Sequence, residues 1–252
     1  MISPLDAVVL VAAGVLAGLI GTAGAITSLV SYPALLAVGV PALSANVANL
    51  VALLACWPGS ALASGPELRG QGYWLRRFVP VAAAGGALGA ALLLSTPADA
   101  FARIVPFLVA AGSITLLLAP RLTPDPARRV PRRRRPWLGG AVLAVSIYNG
   151  YFGAGAGVTL LALLLVTVDD SLPVANALKN MLIGAATILS ALGFVLFGHV
   201  AWAAVAPLAV GEFVGSILGP RVTRRVPARI LRPTVAVIGV GLAVQLFLSH
   251  GG

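Results

Sequence analysis

Hydrophobic and polar positions in this 252-residue chain segregate into long blocks. Apolar runs cover about 7–38, 43–65, 78–95, 100–119, 137–168, 173–198, 201–219 and 228–249, and the stretches between them are short and rich in Pro, Gly or Arg. A membrane-spanning helix needs about 20 predominantly apolar residues, so most of these runs predict one crossing each. The first and fifth are too long for that. As a single helix, 7–38 would measure about 48 Å against a hydrocarbon core of about 30 Å. Glycines interrupt both runs, which predicts a pair of short helices in each, turning back at Gly21 to Gly24 and at Gly153 to Gly157. Arms of that length end near the bilayer midplane.

The two halves of the chain repeat. GTAGAITSLVSYPALLAVGVPALSANVANL from Gly21 is matched by GAGAGVTLLALLLVTVDDSLPVANALKN from Gly153: a small-residue cluster, an apolar run, a Pro and an Ala/Asn-rich helix start. Further on, Pro80, Gly85 and Gly89 correspond to Pro207, Gly211 and Gly215. With a folded-back hairpin, each half has five segments, so the second is inverted relative to the first, an arrangement common in transporters. The expected fold is an all-α polytopic membrane protein. It comprises a first transmembrane repeat (1–119), an Arg/Pro-rich linker (120–136) and a second repeat (137–252), each repeat being a broken or re-entrant helical hairpin plus three spanning helices.

Composition sharpens the solvent assignment. The chain is 59% hydrophobic and only 10% charged, with a mean hydropathy of +1.00. Too little polar surface remains to wrap a water-soluble domain of this length. The net charge of +10 comes from 16 arginines and Lys179 against seven acids. Those arginines lie between apolar runs, so they read as topology signals and not as a nucleic-acid face. If the linker 120–136 is cytoplasmic and both long runs fold back, 15 arginines, in 66–77, 120–136 and 219–232, lie inside, and Arg103 lies near the outer face. This predicts a multi-pass cell-membrane protein with external termini. A single cysteine, Cys56, rules out an intramolecular disulfide framework, and Met1 to Asp6 carries no positive leader segment, so the first run is expected to be retained.

Chemistry concentrates on few positions. Helices starting near Thr22 to Ala25 and Ala154 to Gly157 would aim their amide groups and positive dipole ends at a shared cavity, an anion site in outline. Gly21, Gly24, Gly153, Gly155 and Gly157 would let an oxyanion approach the backbone, and Thr22, Thr27 and Thr159 offer hydroxyls. Tight helix packing would use the same small residues. Lys179 and Asn180 stand inside the sixth run, with Asn46 and Asn49 in the matching place of the first half. The lysine would either meet an anionic substrate or snorkel to the headgroups, and the asparagines would either line the site or tie helices together. Glu212, deep in the seventh run, would either pair with Lys179 or carry a coupling proton. Trp57, beside Pro58, reads as a kink marker.

These motifs resemble the sulfite exporter TauE/SafE family, also called the toluenesulfonate uptake permease family. The resemblance spans nearly the whole chain and rests on Gly21-Thr-Ala-Gly24-Ala with Tyr32-Pro33, on Gly153-Ala-Gly155-Ala-Gly157, and on the later elements Ser44 to Asn49 and Ala175 to Asn180. It implies a multi-pass cytoplasmic-membrane transporter of small sulfur oxyanions such as sulfite, thiosulfate or sulfonates. The expected partners are that anion, a coupled proton or sodium ion, the lipid bilayer and a second copy in a homodimer, without nucleic acid, metal or cofactor. An anion channel on the same scaffold and a membrane assembly protein are the alternatives. A membrane-embedded enzyme is the weakest reading, because the spans hold one Glu, one Lys, one Cys and no His/Asp pair at ligand spacing.

Overall fold

The first long run divides as its length requires. In the computed structural model, which describes residues 2–24, 27–122, 136–168 and 172–223, helix α1 covers Pro4–Gly24 and α2 covers Ser28–Ala37. The fifth run divides into α7 (Leu138–Tyr151) and α8 (Ala156–Thr167). Between these pairs lie α3 (Ala42–Ala52), a 3₁₀ turn (Leu53–Ala55), α4 (Cys56–Ala63), α5 (Gly72–Leu94) and α6 (Ala98–Leu122). The chain continues through α9 (Leu172–Phe197) and α10 (Trp202–Thr223). Among the described residues, five segments are long and apolar enough to cross a membrane, namely Pro4–Gly21, Ala42–Leu62, Gly72–Leu94, Ala98–Thr115 and Pro173–Phe197. The run at 228–249, most of loop 219–232, most of the linker and Asp169-Asp170 lie outside the described residues.

One boundary differs from the sequence reading. The helix does not turn back at Gly21 to Gly24; α1 stays helical through Gly24 and the break follows it. Gly21 has a packing role instead, because a Cβ there would overlap the Thr27 side chain. In the second half the break does fall on the glycines: Gly153 (φ 84°) and Gly155 (φ 82°) occupy the left-handed region that favours glycine. The Tyr148 hydroxyl donates to the Ala154 carbonyl at 2.6 Å and closes this turn.

Glycine contacts fix the helix directions. Gly14 of α1 meets Leu208 and Glu212 of α10, and Gly18 meets Glu212 and Ser216, so α1 and α10 run parallel. Gly85 and Gly89 of α5 meet Leu143 to Ser146 and Ile147 to Gly150 of α7, again in parallel. Gly86 meets Ala186 and Gly193 meets Ala90, so α9 also runs with α5. Cys56 contacts Glu212 and Gly59 contacts Ser216, which aligns α4 with α10. Since α7 and α9 both run with α5, α8 has to carry the chain back between them. By the same reasoning α2 carries it back between α1 and α3. Small residues make these approaches possible, because helices in lipid associate through close packing and not through a hydrophobic drive.

Two buried clusters flank the breaks. One gathers Tyr32, Leu50, Phe101, Phe152 and Phe194 from α2, α3, α6, the α7–α8 turn and α9. The other gathers Phe78, Val142, Leu164 and Leu182 from α5, α7, α8 and α9. Tyr32 and Phe152 meet edge to face at 5.4 Å, which ties the first hairpin to the second.

Candidate functional site

The two breaks meet at a cavity of about 80 Å³. From the first break come Gly21, Thr27 and Ser28, and from the second Gly153 and Gly157. A Cβ on Gly153 would stand 3.5 Å from the Ser28 hydroxyl, so the two turns are direct neighbours. Each contributes a helix start: Thr27 precedes the first turn of α2, and Gly157 is the second residue of α8. The first N–H groups of a helix have no carbonyl one turn back, so their positive ends face the cavity. In α8 the Ala156 and Thr159 amides bond to Gly153 and Gly155 carbonyls, and the amide of Gly157 makes no backbone bond among the described residues.

Helix α9 supplies the charge. Lys179 is 2% exposed and lines the cavity with Asn180, Ile183, Gly184 and Thr187. Its position seven residues into α9 puts it about 10 Å from the helix start, and its burial shows that it turns into the cavity and does not snorkel. Among the described residues its ammonium makes no hydrogen bond and no ion pair. A buried cation without a counter-charge is unfavourable unless a ligand supplies one.

The remaining wall comes from Leu53, Cys56, Trp57 and Ser60 of the 3₁₀ turn and α4, and from Asn149 of α7. The Trp57 ring packs on Gly184, where a Cβ would overlap it, and its indole N–H is buried without a partner. Trp57 thus forms part of the cavity wall in addition to sitting beside Pro58. Asn149 Nδ2 donates to Thr187 Oγ1 at 3.2 Å. Sequence reasoning passed over Ser28, Cys56, Ser60, Asn149 and Thr187. A polar residue inside the fifth apolar run was the available signal for Asn149.

Several other sequence candidates make contacts of their own. Asn49 is fully buried and structural: its Oδ1 accepts from the Ser31 hydroxyl and its Nδ2 donates to Ser28 Oγ at 3.2 Å. Asn46 Nδ2 donates to the Tyr151 carbonyl at 2.8 Å, linking α3 to the end of α7. Thr159 Oγ1 donates back to the Gly155 carbonyl at 3.1 Å, and Gly155 packs against Gly112 of α6. Thr22 and Gly24 belong to the last turn of α1. Glu212 does not pair with Lys179. It is fully buried against Cys56, whose Sγ lies 3.8 Å from Oε2, and Oε1 has no hydrogen-bond partner.

The Asn49 bonds carry a stability prediction. Asn49→Ala leaves the buried Ser28 and Ser31 hydroxyls short of a partner, at about 1–3 kcal/mol each if unrelieved. The melting temperature of the detergent-solubilised protein is expected to fall by several degrees, and an unchanged value would remove the structural role.

Apolar helices of spanning length and two chain breaks facing each other across a cavity define a multi-pass helical membrane protein. The chain belongs to the family described as sulfite exporter TauE/SafE, which matches residues 7–246. It is 30% identical over its whole length to "Probable membrane transporter protein YfcA" of Escherichia coli (strain K12), covering 93% of that protein. It is 28% identical to "Probable membrane transporter protein ORF9" of Sinorhizobium sp, over 93% of this chain and 89% of the relative. A Haemophilus influenzae "Probable membrane transporter protein" is 26% identical over 88% and 87% of the two chains. No solved structure matches. The protein is accordingly a membrane transporter and not an enzyme.

Proposed function

We propose that the protein is a secondary transporter of small sulfur oxyanions, held where the α2 and α8 starts face Lys179. The observation that carries this reading is the buried Lys179 ammonium, which has no hydrogen bond or ion pair among the described residues, in a cavity that Trp57 also lines. Donors and a cation without acceptors fit an anion. A cavity of about 80 Å³ has room for several water molecules, and so for an inorganic oxyanion such as sulfite or thiosulfate.

The parallel pairs α1 with α10 and α7 with α5 exchange when the two halves are exchanged, which supports an inverted-topology repeat. In that reading each hairpin enters from one face, and rocking of one half against the other exposes the cavity alternately. The same directions bring the starts of α5 and α7 and the end of α10 to one face, so the arginines of 66–77, 120–136 and 219–232 would share the cytoplasmic side.

The reading is tested in liposomes. Purified protein is expected to move radiolabelled sulfite or thiosulfate against its gradient when a proton gradient is imposed. Trp57→Phe keeps the ring on Gly184 but removes the N–H, and roughly a tenfold loss of anion affinity is expected. Absence of flux for sulfite, thiosulfate and small sulfonates alike overturns the substrate class; a purely electrodiffusive current points to a channel.

A further inference from the structure

Glu212 lies directly behind the cavity wall. Cys56 lines the cavity and places its Sγ 3.8 Å from Glu212 Oε2, so one side chain stands between the acid and the anion site.

The halves of the chain differ at this point. Gly85 and Gly89 correspond to Gly211 and Gly215, so Glu212 takes the place that Gly86 holds in the first half. Gly86 packs flush against Ala186, whereas Glu212 brings a carboxyl group to the equivalent helix contact. A helix contact alone needs no acid there.

We infer that Glu212 is the proton site of the transport cycle and that it binds its proton together with the anion, so that the two are carried in the same direction. This rests on the anion reading of the cavity. The sign follows from electrostatics: an anion one side chain away disfavours a carboxylate, so it promotes uptake of a proton from solvent onto a Glu212 oxygen, and by reciprocity the protonated acid tightens anion binding. A proton suits the site better than sodium. Hard cations take a shell of several oxygens, and here the hydrogen-bonding partner of the Glu212 carboxylate among the described residues is the Cys56 thiol. The titratable side chains facing this region are Cys56 from α4 and, across the cavity, Lys179 from α9.

The experiment measures proton uptake on binding of thiosulfate, which stays fully ionised, to the purified full-length protein from about pH 5 to about pH 9. Wild-type protein is expected to take up close to one proton per anion within part of that range, with affinity falling up to roughly tenfold per pH unit on its alkaline side. Glu212→Gln abolishes uptake and flattens the affinity profile. Glu212→Gln keeps Lys179 and Cys56, so loss of uptake in it separates Glu212 from those two groups, and Gly139→Ala, with nothing within 4 Å of its Cβ, is the control that retains uptake. Should Glu212→Gln fail to fold, Cys56→Ala, which removes the thiol 3.8 Å from Glu212 Oε2, displaces the midpoint of the wild-type profile, and an unmoved midpoint overturns the inference. Thiosulfate binding without proton uptake, or uptake that persists in Glu212→Gln, also overturns it. Wild-type protein that binds none of thiosulfate, sulfite or a small sulfonate overturns the anion reading itself, and this inference with it.

Discussion

Lys179→Met abolishes anion binding and leaves the protein folded. Methionine keeps most of the side-chain length and apolar stem, so the part of the cavity wall that Lys179 forms stays filled. What disappears is the cation that balances the ligand. A charge-assisted bond contributes up to about 3 kcal/mol, so affinity for sulfite or thiosulfate is expected to fall by up to roughly 100-fold. Stability should move the other way. In the empty protein the buried ammonium has no hydrogen bond or ion pair among the described residues, and replacing such a group by an apolar one is neutral or stabilising. The combination is diagnostic: a ligand-free melting temperature at or above wild type, together with loss of the thermal shift that saturating anion produces. Lys179→Met with unchanged affinity would take the lysine out of the site. Loss of the fold in the same variant would make it a structural residue.

Much of this site could be read along the chain, for a physical reason. Runs of 7–38 and 137–168 exceed one bilayer crossing, and an overlong apolar run must turn; the turns then bring Gly21, Thr27, Gly153 and Gly157 to the cavity. Lys179 was visible because an ionisable residue inside an apolar run has few inexpensive places to go. Trp57 and Cys56 could not be assigned in that way. Their role depends on the 3₁₀ turn at Leu53–Ala55, which precedes α4, and on packing against Gly184 of α9 and Glu212 of α10. Asn49 shows the opposite error. Its position matches Asn180 in the repeat, yet Asn49 bonds to two serines whereas Asn180 lines the cavity. A repeat conveys equivalent backbone positions, and side-chain roles diverge with the neighbours each half provides.

That divergence also orders the chemistry. On the sequence repeat, Asn180 matches Asn49, so Lys179 matches Ala48, and Glu212 matches Gly86. Lys179 and Glu212 thus stand where the first half has small packing residues, and both belong to the second half. The first half contributes cavity wall through Ser28, Cys56 and Trp57. In the proposed cycle, relative motion of the halves would open the cavity between them.

Gly86→Val prevents assembly of the helix core. Gly86 sits where α5 meets two partners at once: a Cβ on it would overlap the Ala186 backbone of α9, and Gly150 of α7 approaches its carbonyl closely enough that a Cβ there would collide as well. Helix α7 cannot withdraw freely, since Gly85, the residue before Gly86, and Gly89, three residues after it, hold it to α5. A branched side chain at this point has to separate three helices, and overpacking of this kind costs at least about 1–3 kcal/mol even where a flexible side chain can give way. Here the obstacle is backbone, so the cost lies above that range. The expected result is little or no monodisperse protein after detergent extraction, with Gly86→Ala intermediate between it and wild type. Gly139→Ala is the control: nothing lies within 4 Å of its Cβ, and alanine gains up to about 1 kcal/mol of helix propensity over glycine. It should extract and melt like wild type or slightly above it. Gly86→Val that extracts and melts like wild type would mean that α5, α7 and α9 do not meet at this point, and the parallel packing from which the chain reversal through α8 was deduced would fall with it.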